Sequence, residues 1–391
     1  MGTIVLEISS SLSKMWNKVL NLETSLFPAL KEELRLEELT SKEQKLISVL
    51  DFAEIEKNIT VVSITNTPKD REEIARAFIA KSVYNFQTTR DLIDRLHCDR
   101  TLRMLCGWRY KSDIPSESKF SRVFKELSEM EIAQKTHERF VKEYLSDKTF
   151  FYNATDATKI PLREKPVKIE KEKPKPRKRG RPKKGETREP IKPKILEQQK
   201  EMQTVDEMLK CVSTKCGVGV KQNSKGNREV WIGGKLHISA VDGDIPIAAF
   251  YSGANVHDSS VALPLIQETS NRVNYLYDLQ DAGYDADIIR EFSIKFGHRP
   301  IIDINPKNSK KLKDKIELLE HEEKAFEHLN QHLNCDKEHY NQRGMVERVN
   351  KYLKDDFGCD KIYYQGATKV ASVLSFGILS ICIHQSLKML T

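Results

Sequence analysis

The chain has 391 residues, 31% charged and 39% hydrophobic, which is enough for more than one domain with a buried core. Seven cysteines, odd in number and scattered from Cys98 to Cys382, argue against a disulfide framework and fit a reducing cytoplasm. The net charge of +8 sits in one place: residues 161–194 hold 15 Lys or Arg against 5 Asp or Glu, a local +10, so the remainder is about −2.

Residues 1–147 read as a helical, separate domain. Apolar residues recur at three- and four-residue spacing over Ser41 to Glu56, Lys69 to Phe86, Thr88 to His97, Arg100 to Cys106, Glu117 to Leu127 and Glu129 to Leu145. Thr88 followed by Asp91 fits a capping box, and Pro115-Ser116 suits a helix start. Helices Thr88 to Leu105 and Ser116 to Leu127 suggest a helix-turn-helix with Lys119, Arg122 and Lys125 outward, although the turn between them is longer than usual. No N-terminal stretch has the basic start and apolar run of a signal peptide.

Thr149 to Asp156 (TFFYNATD) has a strand-like alternation that ends on an acid, placing Asp156 at a strand edge. A basic, Pro-rich flexible insertion is expected over 161–228; its 161–194 part holds 7 of the 14 prolines and no aromatic residue. Within it, Arg177 to Lys184 resembles an AT-hook. Its core, Arg179-Gly180-Arg181-Pro182, would suit the narrow minor groove of A·T-rich DNA, while a solvated basic linker binding DNA nonspecifically fits equally well.

Strands then follow over Glu229 to Val241 and Ile245 to Tyr251, joined at Asp242-Gly243-Asp244. A helix capped by Asp258 or Ser259 runs to about Thr269; His257 and Asp258 could contribute to an active site, with a structural cap as the expected role. The strand Tyr275 to Leu279 leads into Asp281-Ala282-Gly283-Tyr284-Asp285, where Gly283 permits a tight turn and leaves Asp281 at a strand's carboxyl end. Asp278 and Asp285 are neighbouring alternatives. A helix over 286–296 and a strand Pro300 to Ile304 complete an α/β alternation. Trp231 reads as strand packing, and His328, His332, Cys335 and His339 have zinc-like spacing without a CxxC pair. Val370 to Ile383 is apolar for only 14 residues, which predicts a core helix and no membrane span.

A helix over Tyr340 to Lys354 separates two kinds of residue. At roughly 100° per residue, with Glu347 at zero, Tyr340 falls near +20°, Arg343 near −40° and Lys354 near −20°. Met345, Val346, Val349, Tyr352 and Leu353 occupy the opposite arc, which an amphipathic helix buries. The stripe is roughly 21 Å long, about six base-pair steps of DNA.

The pattern Tyr-x2-Arg-x3-Glu-x6-Lys matches the Y-R-E-K signature, and with it the chain resembles bacterial insertion-sequence transposases of the Asp-Asp-Glu type. The resemblance covers most of residues 149–390. It implies an α/β ribonuclease-H-like catalytic domain, a mixed sheet flanked by helices, over 148–391, with the all-α N-terminal domain as a DNA-binding module. It also implies that Asp156, Asp281 and Glu347 are the catalytic and metal-binding acids.

Clustered carboxylates repel by about 4 kcal/mol per pair at 4 Å and an effective dielectric near 20, so divalent metal, Mg²⁺ or Mn²⁺, is expected. Arg343, Lys354, Tyr340 and, less strongly, Asn350 and Lys351 are expected to hold DNA phosphates. The implied activity is cleavage at terminal inverted repeats and strand transfer into target DNA, by a homodimer, in the cytoplasm at the nucleoid. The competing readings are a transposase-derived DNA-binding protein without catalysis, and a ribonuclease-H-like nuclease without strand transfer.

Overall fold

The computed structural model describes residues 39–59, 69–167, 193–222, 226–305 and 335–390, with isolated positions at 314, 317 and 318. The AT-hook-like segment, His328 and His332 lie outside the described residues.

Among the described residues, six α-helices precede the sheet: α1 (Ser41–Ala53), α2 (Arg71–Val83), α3 (Thr89–Cys98), α4 (Arg100–Cys106), α5 (Glu117–Glu129) and α6 (Ile132–Tyr144). Local chemistry sets several of the boundaries. The Thr88 hydroxyl accepts from the Asp91 backbone N–H while the Asp91 carboxylate accepts from that of Thr88, the reciprocal bonding expected at this start. The expected spans Thr88 to His97 and Arg100 to Cys106 are the separate helices α3 and α4, so the first arm of the expected helix-turn-helix, Thr88 to Leu105, is divided. Asp99 leaves helical geometry and caps α4 by accepting from the Leu102 N–H.

The sheet contains β1 (Thr149–Pro161), β2 (Gly217–Gln222), β3 (Arg228–Val241), β4 (Ile245–Gly253), β5 (Asn274–Gln280) and β6 (Arg299–Ile302). Its order is β2-β3-β1-β5-β6, with β4 also paired to β3. The β1/β3, β2/β3 and β3/β4 pairs are antiparallel, whereas β1/β5 and β5/β6 are parallel. A meander and a crossover unit thus meet at β1.

Asp156 is not at a strand edge, as the sequence had suggested. β1 continues to Pro161 because β3 is long enough to pair with it throughout, and Asp156 lies opposite Ile238. On its other side, however, pairing with β5 ends at Thr155–Gln280, so Asp156 is level with the end of β5.

The insertion is also not wholly irregular. Its described part contains α7 (Ile195–Lys200), α8 (Val205–Lys210) and β2. Thr204 caps α8 reciprocally with Glu207, and Met208 is fully buried beside Ile266 and Phe292. The local charge excess ends at about residue 194, and the apolar residues beyond it have a surface to bury against.

Helix α9 (Ala262–Arg272) crosses from β4 to β5, and α10 (Asp287–Lys295) from β5 to β6. The expected single helix from Tyr340 to Lys354 divides into α11 (Cys335–Asn341) and α12 (Gly344–Asp355). Between them, the N–H groups of Gln342, Arg343, Met345 and Val346 all bond carbonyls three residues back, a tightened turn that an isolated Gly344 favours over continuous α-helix.

The last helix, α13 (Ala367–Lys388), is apolar on all sides and therefore buried on all sides. It is long and apolar enough to cross a membrane, yet 78% of its apolar window is buried within the protein, against α1, α2, α5, α6 and β4. Phe376 meets Phe78 and Phe124 from the N-terminal helices at ring-centroid distances of 5.8 and 6.5 Å. The N-terminal helices expected to stand apart thus share one apolar core with the sheet and α12. Each such fully buried side chain contributes roughly 1.5–3 kcal/mol.

Candidate active site

The end of β5 and the middle of β1 bring two acids to one region. Asp281 follows β5 directly, and its carboxylate accepts from the Gly283 N–H at 2.9 Å, capping a short turn over residues 282–284. Asp156 lies on β1 beneath α12, where Asn350 Nδ2 donates to its Oδ2 at 3.1 Å. Burial, and after it the charge of Asp281, pushes the Asp156 carboxyl up to about 6; the Ala157 N–H, Arg343 and Lys221 pull the other way.

The two alternative aspartates have other duties. Asp278 has no exposed surface and accepts from Asn153, Gln280 and Ser293; burial outweighs those bonds and raises it to about 6. Asp285 pairs with Arg290 at 2.9 Å and accepts from the Asn305 N–H at 2.9 Å.

Glu347 lies on the first turn of α12, which rests on β1 and β3 through Met345, Val346, Val349 and Leu353. Its side chain is 56% exposed, and Arg343 Nη2 donates to its Oε1 at 2.5 Å. Burial works against the Arg343 charge, but Tyr340, Glu347, Asp156 and Asp281 together outweigh it and raise its pKa. One guanidinium therefore stands within electrostatic reach of all three expected acids.

The other stripe residues are placed less uniformly. The Arg343 guanidinium lies 5.8 Å from the Tyr340 ring centre, and burial raises the Tyr340 hydroxyl pKa. Lys351 is exposed. Lys354 is half-buried and donates to Thr158 Oγ1 at 2.5 Å; burial, then Lys159, lowers its pKa. Asn350 is buried against Asp156, not presented to solvent, and its Oδ1 has no partner among the described residues.

Sequence reasoning missed Lys221, whose charge acts on both Asp156 and Lys354, and Lys159, which acts on Lys354 while paired with Glu229. Lys159 is three residues beyond Asp156, a spacing visible in the chain; the approach of Lys221 depends on β2 and has no local signal. His257 caps its turn through Nδ1, and Asp258 pairs with Lys235 at 2.8 Å. His339 stacks on Tyr277 at 4.2 Å and bonds the Tyr152 hydroxyl at 2.7 Å. Trp231 is buried and donates to the Gly234 carbonyl.

A family model described as a transposase DDE domain matches residues 153–383, more than half of the chain. The chain belongs to the DDE transposases. A second model, described as a transposase domain, matches residues 33–126, and no curated protein matches the chain. The protein is accordingly a DNA transposase, an enzyme that cleaves DNA and transfers strands with the help of a divalent metal.

The residues of this transposase suit such an ion in kind. The half-buried Asp156 carboxyl, raised by desolvation and by the like charge of Asp281, and the unpartnered Asn350 Oδ1 beside it supply hard oxygen donors of the kind such an ion takes. Among the described residues, no three Asp, Glu, His or Cys side chains are gathered closely enough to hold an ion. Glu347 is instead engaged with Arg343.

Proposed function

We propose that Asp156, Asp281 and Glu347 are the catalytic carboxylates of this transposase, that they hold Mg²⁺ or Mn²⁺, and that the sheet carrying them is a ribonuclease-H-like core. The observation that carries this reading is geometric: the β1/β5 pairing ends at Thr155–Gln280, so Asp156 and Asp281 follow at the same height, and α12, which carries Glu347, is tied to Asp156 through Asn350. Asp278 and Asp285, the competing acids, are committed to buried or paired positions.

When bound, the metal supplies Lewis acidity that activates a water or 3′-hydroxyl and stabilises the leaving oxygen of an in-line displacement at phosphorus. The protein's own groups have separate tasks. Asp156 and Asp281 are fixed by strand pairing and by the Asx turn, so they form the rigid side of the site. Glu347, on an exposed helix turn, is the movable ligand, and it becomes available once Arg343 releases it.

A DNA phosphate supplies the reason for release. Arg343 can bind phosphate through two parallel N–H donors, exchanging its single bond to the Glu347 carboxylate for a bidentate grip on an anion of the same unit charge. Lys354 and Lys351 act as point charges along the same backbone, and the Tyr340 hydroxyl donates to it. Asn350 orients Asp156. These contacts position DNA and leave base recognition to other parts of the chain. The helix pair α3 and α5 and the segment Arg179-Gly180-Arg181-Pro182 are the proposed readers of element ends.

The DNA is double-stranded, comprising the terminal inverted repeats of the element and the target. Two ends must be held at once, which favours a homodimer. A cleavage and joining assay on end DNA tests the assignment. Wild type should nick and join with Mg²⁺ or Mn²⁺, and Glu347→Ala should bind DNA without nicking. Nicked ends with no joined product would remove strand transfer from the proposal, and full activity of Glu347→Ala would remove the acid assignment.

A further inference from the structure

Beneath the two aspartates, on the opposite face of the sheet, six polar side chains form a network with no exposed surface: Asn153, Ser239, Thr269, Asp278, Gln280 and Ser293. Asn153 Nδ2 donates to Asp278 Oδ1 at 3.1 Å. Ser239 donates to Asn153 Oδ1 at 2.5 Å and itself accepts from Thr269 at 2.8 Å. The other oxygen of Asp278 accepts from Gln280 at 3.1 Å and from Ser293 at 2.9 Å. Strands β1, β3 and β5 and helices α9 and α10 are thereby joined through one carboxylate.

Its place in the strand register gives the network a consequence. Asn153 and Asp278 are direct partners in the parallel β1/β5 pair. Asp156 lies three residues beyond the first, and Asp281 three residues beyond the second. The same rung that bonds Asn153 to Asp278 therefore sets both candidate catalytic acids at the same height.

Nothing else nearby fixes that height as firmly. Around this rung both strands are buried on both faces, Asn153 to Thr155 on one and Asp278 to Gln280 on the other. Alternation between faces distinguishes registers only where one face is polar. A slip of two residues would keep every side chain on its own face while separating Asp156 from Asp281 along the strands. Such a slip also removes Asn153, the one donor to Asp278 Oδ1 among the described residues, and leaves that buried oxygen unpaired while Gln280 and Ser293 hold only Oδ2, which disfavours it.

We propose that Asn153 and Asp278 are positioning residues for catalysis: their buried bond sets the β1/β5 register and so the spacing of Asp156 and Asp281 as metal ligands. This rests on the assignment of those two acids above. Gln280, bonded to Asp278 and adjacent to Asp281, extends the constraint to the turn.

The test uses full-length protein and Mn²⁺ as probe, with free ion measured by electron paramagnetic resonance and folding by circular dichroism. Asn153→Ala should remain folded yet lose metal affinity by about 10–100-fold, the range seen when an outer partner of a metal ligand is removed. The exchange variant Asn153→Asp with Asp278→Asn restores an amide–carboxylate pair and should recover most of that loss. Should Asn153→Ala fail to fold, Asn153→Ser, which keeps a small polar side chain but cannot span to Asp278, replaces it and should show the same direction of loss. Wild-type Mn²⁺ affinity in the folded Asn153→Ala variant, or in Asn153→Ser should that replace it, overturns the positioning role. If Asp156→Asn and Asp281→Asn also leave Mn²⁺ binding unchanged, the acid assignment falls first and this inference with it.

Discussion

Replacing Asp156 by Asn should stabilise the metal-free protein near neutral pH while abolishing cleavage. The carboxyl is raised from 3.8 to about 6, chiefly by burial and then by Asp281. A folded-state value above the unfolded one means that the fold prefers the protonated acid. Its contribution is therefore fully favourable below about pH 4 and is lost as pH rises through about 6. About two units at 1.36 kcal/mol each set an upper bound of about 3 kcal/mol.

The variant also weakens the bonds from Ala157 and Asn350, so a net gain of about 1–2 kcal/mol at pH 8 is expected. With about 2.1 cal/mol/K of unfolding entropy per residue, that corresponds to a rise of about 1–2 °C in Tm. Asp278, raised for the same reason, gives both proteins a background slope of the same sign, so the difference between the two curves is the quantity to read. Thermal unfolding by calorimetry from about pH 4 to pH 8 provides it. Saturating Mn²⁺ should return stability to wild type, about 2.7 kcal/mol at one hundred times Kd, and return less to the variant. A stability difference independent of pH, or a variant less stable at pH 8, would refute the electrostatic reasoning.

The other expectations concern DNA binding and helix placement. Lys159→Ala, Lys221→Ala and Lys354→Ala should each reduce the slope of log K against log salt by about 0.9, measured by fluorescence anisotropy; an unchanged slope removes that lysine from the phosphate track. Arg348 grips Asp244 at 2.7 Å while 54% exposed, so Arg348→Ala should cost about 0.5–1 kcal/mol in urea unfolding. A methyl on Gly377 would lie 2.7 Å from Leu353 Cδ1 and 2.8 Å from Cys359 Sγ. Overpacking of about 1–3 kcal/mol should outweigh the helix gain of about 1 kcal/mol, so Gly377→Ala should lower Tm; a rise would contradict the close fit of α13 against α12.

Features with a local cause were legible in the sequence. Thr88 and Asp91 gave away a helix start because capping involves residues three apart, and Asp281 was placed at a strand end because Gly283 permits the turn that follows. The run Val370 to Ile383 announced a buried helix by having no polar face. What stayed hidden was tertiary. The partners of α13 include the N-terminal helices, and no periodicity names a partner. Asn153 and Asp278 are 125 residues apart and meet only through strand pairing. α7 and α8 were concealed by the adjoining basic run, which dominates composition although Met208 is core. The division between α11 and α12 eluded a helical wheel because a tightened turn does not keep 100° per residue.

The central claim is that Asp156, Asp281 and Glu347 share divalent ions, and anomalous diffraction from crystals grown with Mn²⁺ and end DNA tests it directly. The account predicts a peak bridged by Asp156 and Asp281, with Glu347 turned away from Arg343 to join them and Arg343 on a phosphate. A peak held by Asp278 or Asp285, or Glu347 still paired with Arg343 while metal and DNA are bound, would contradict it.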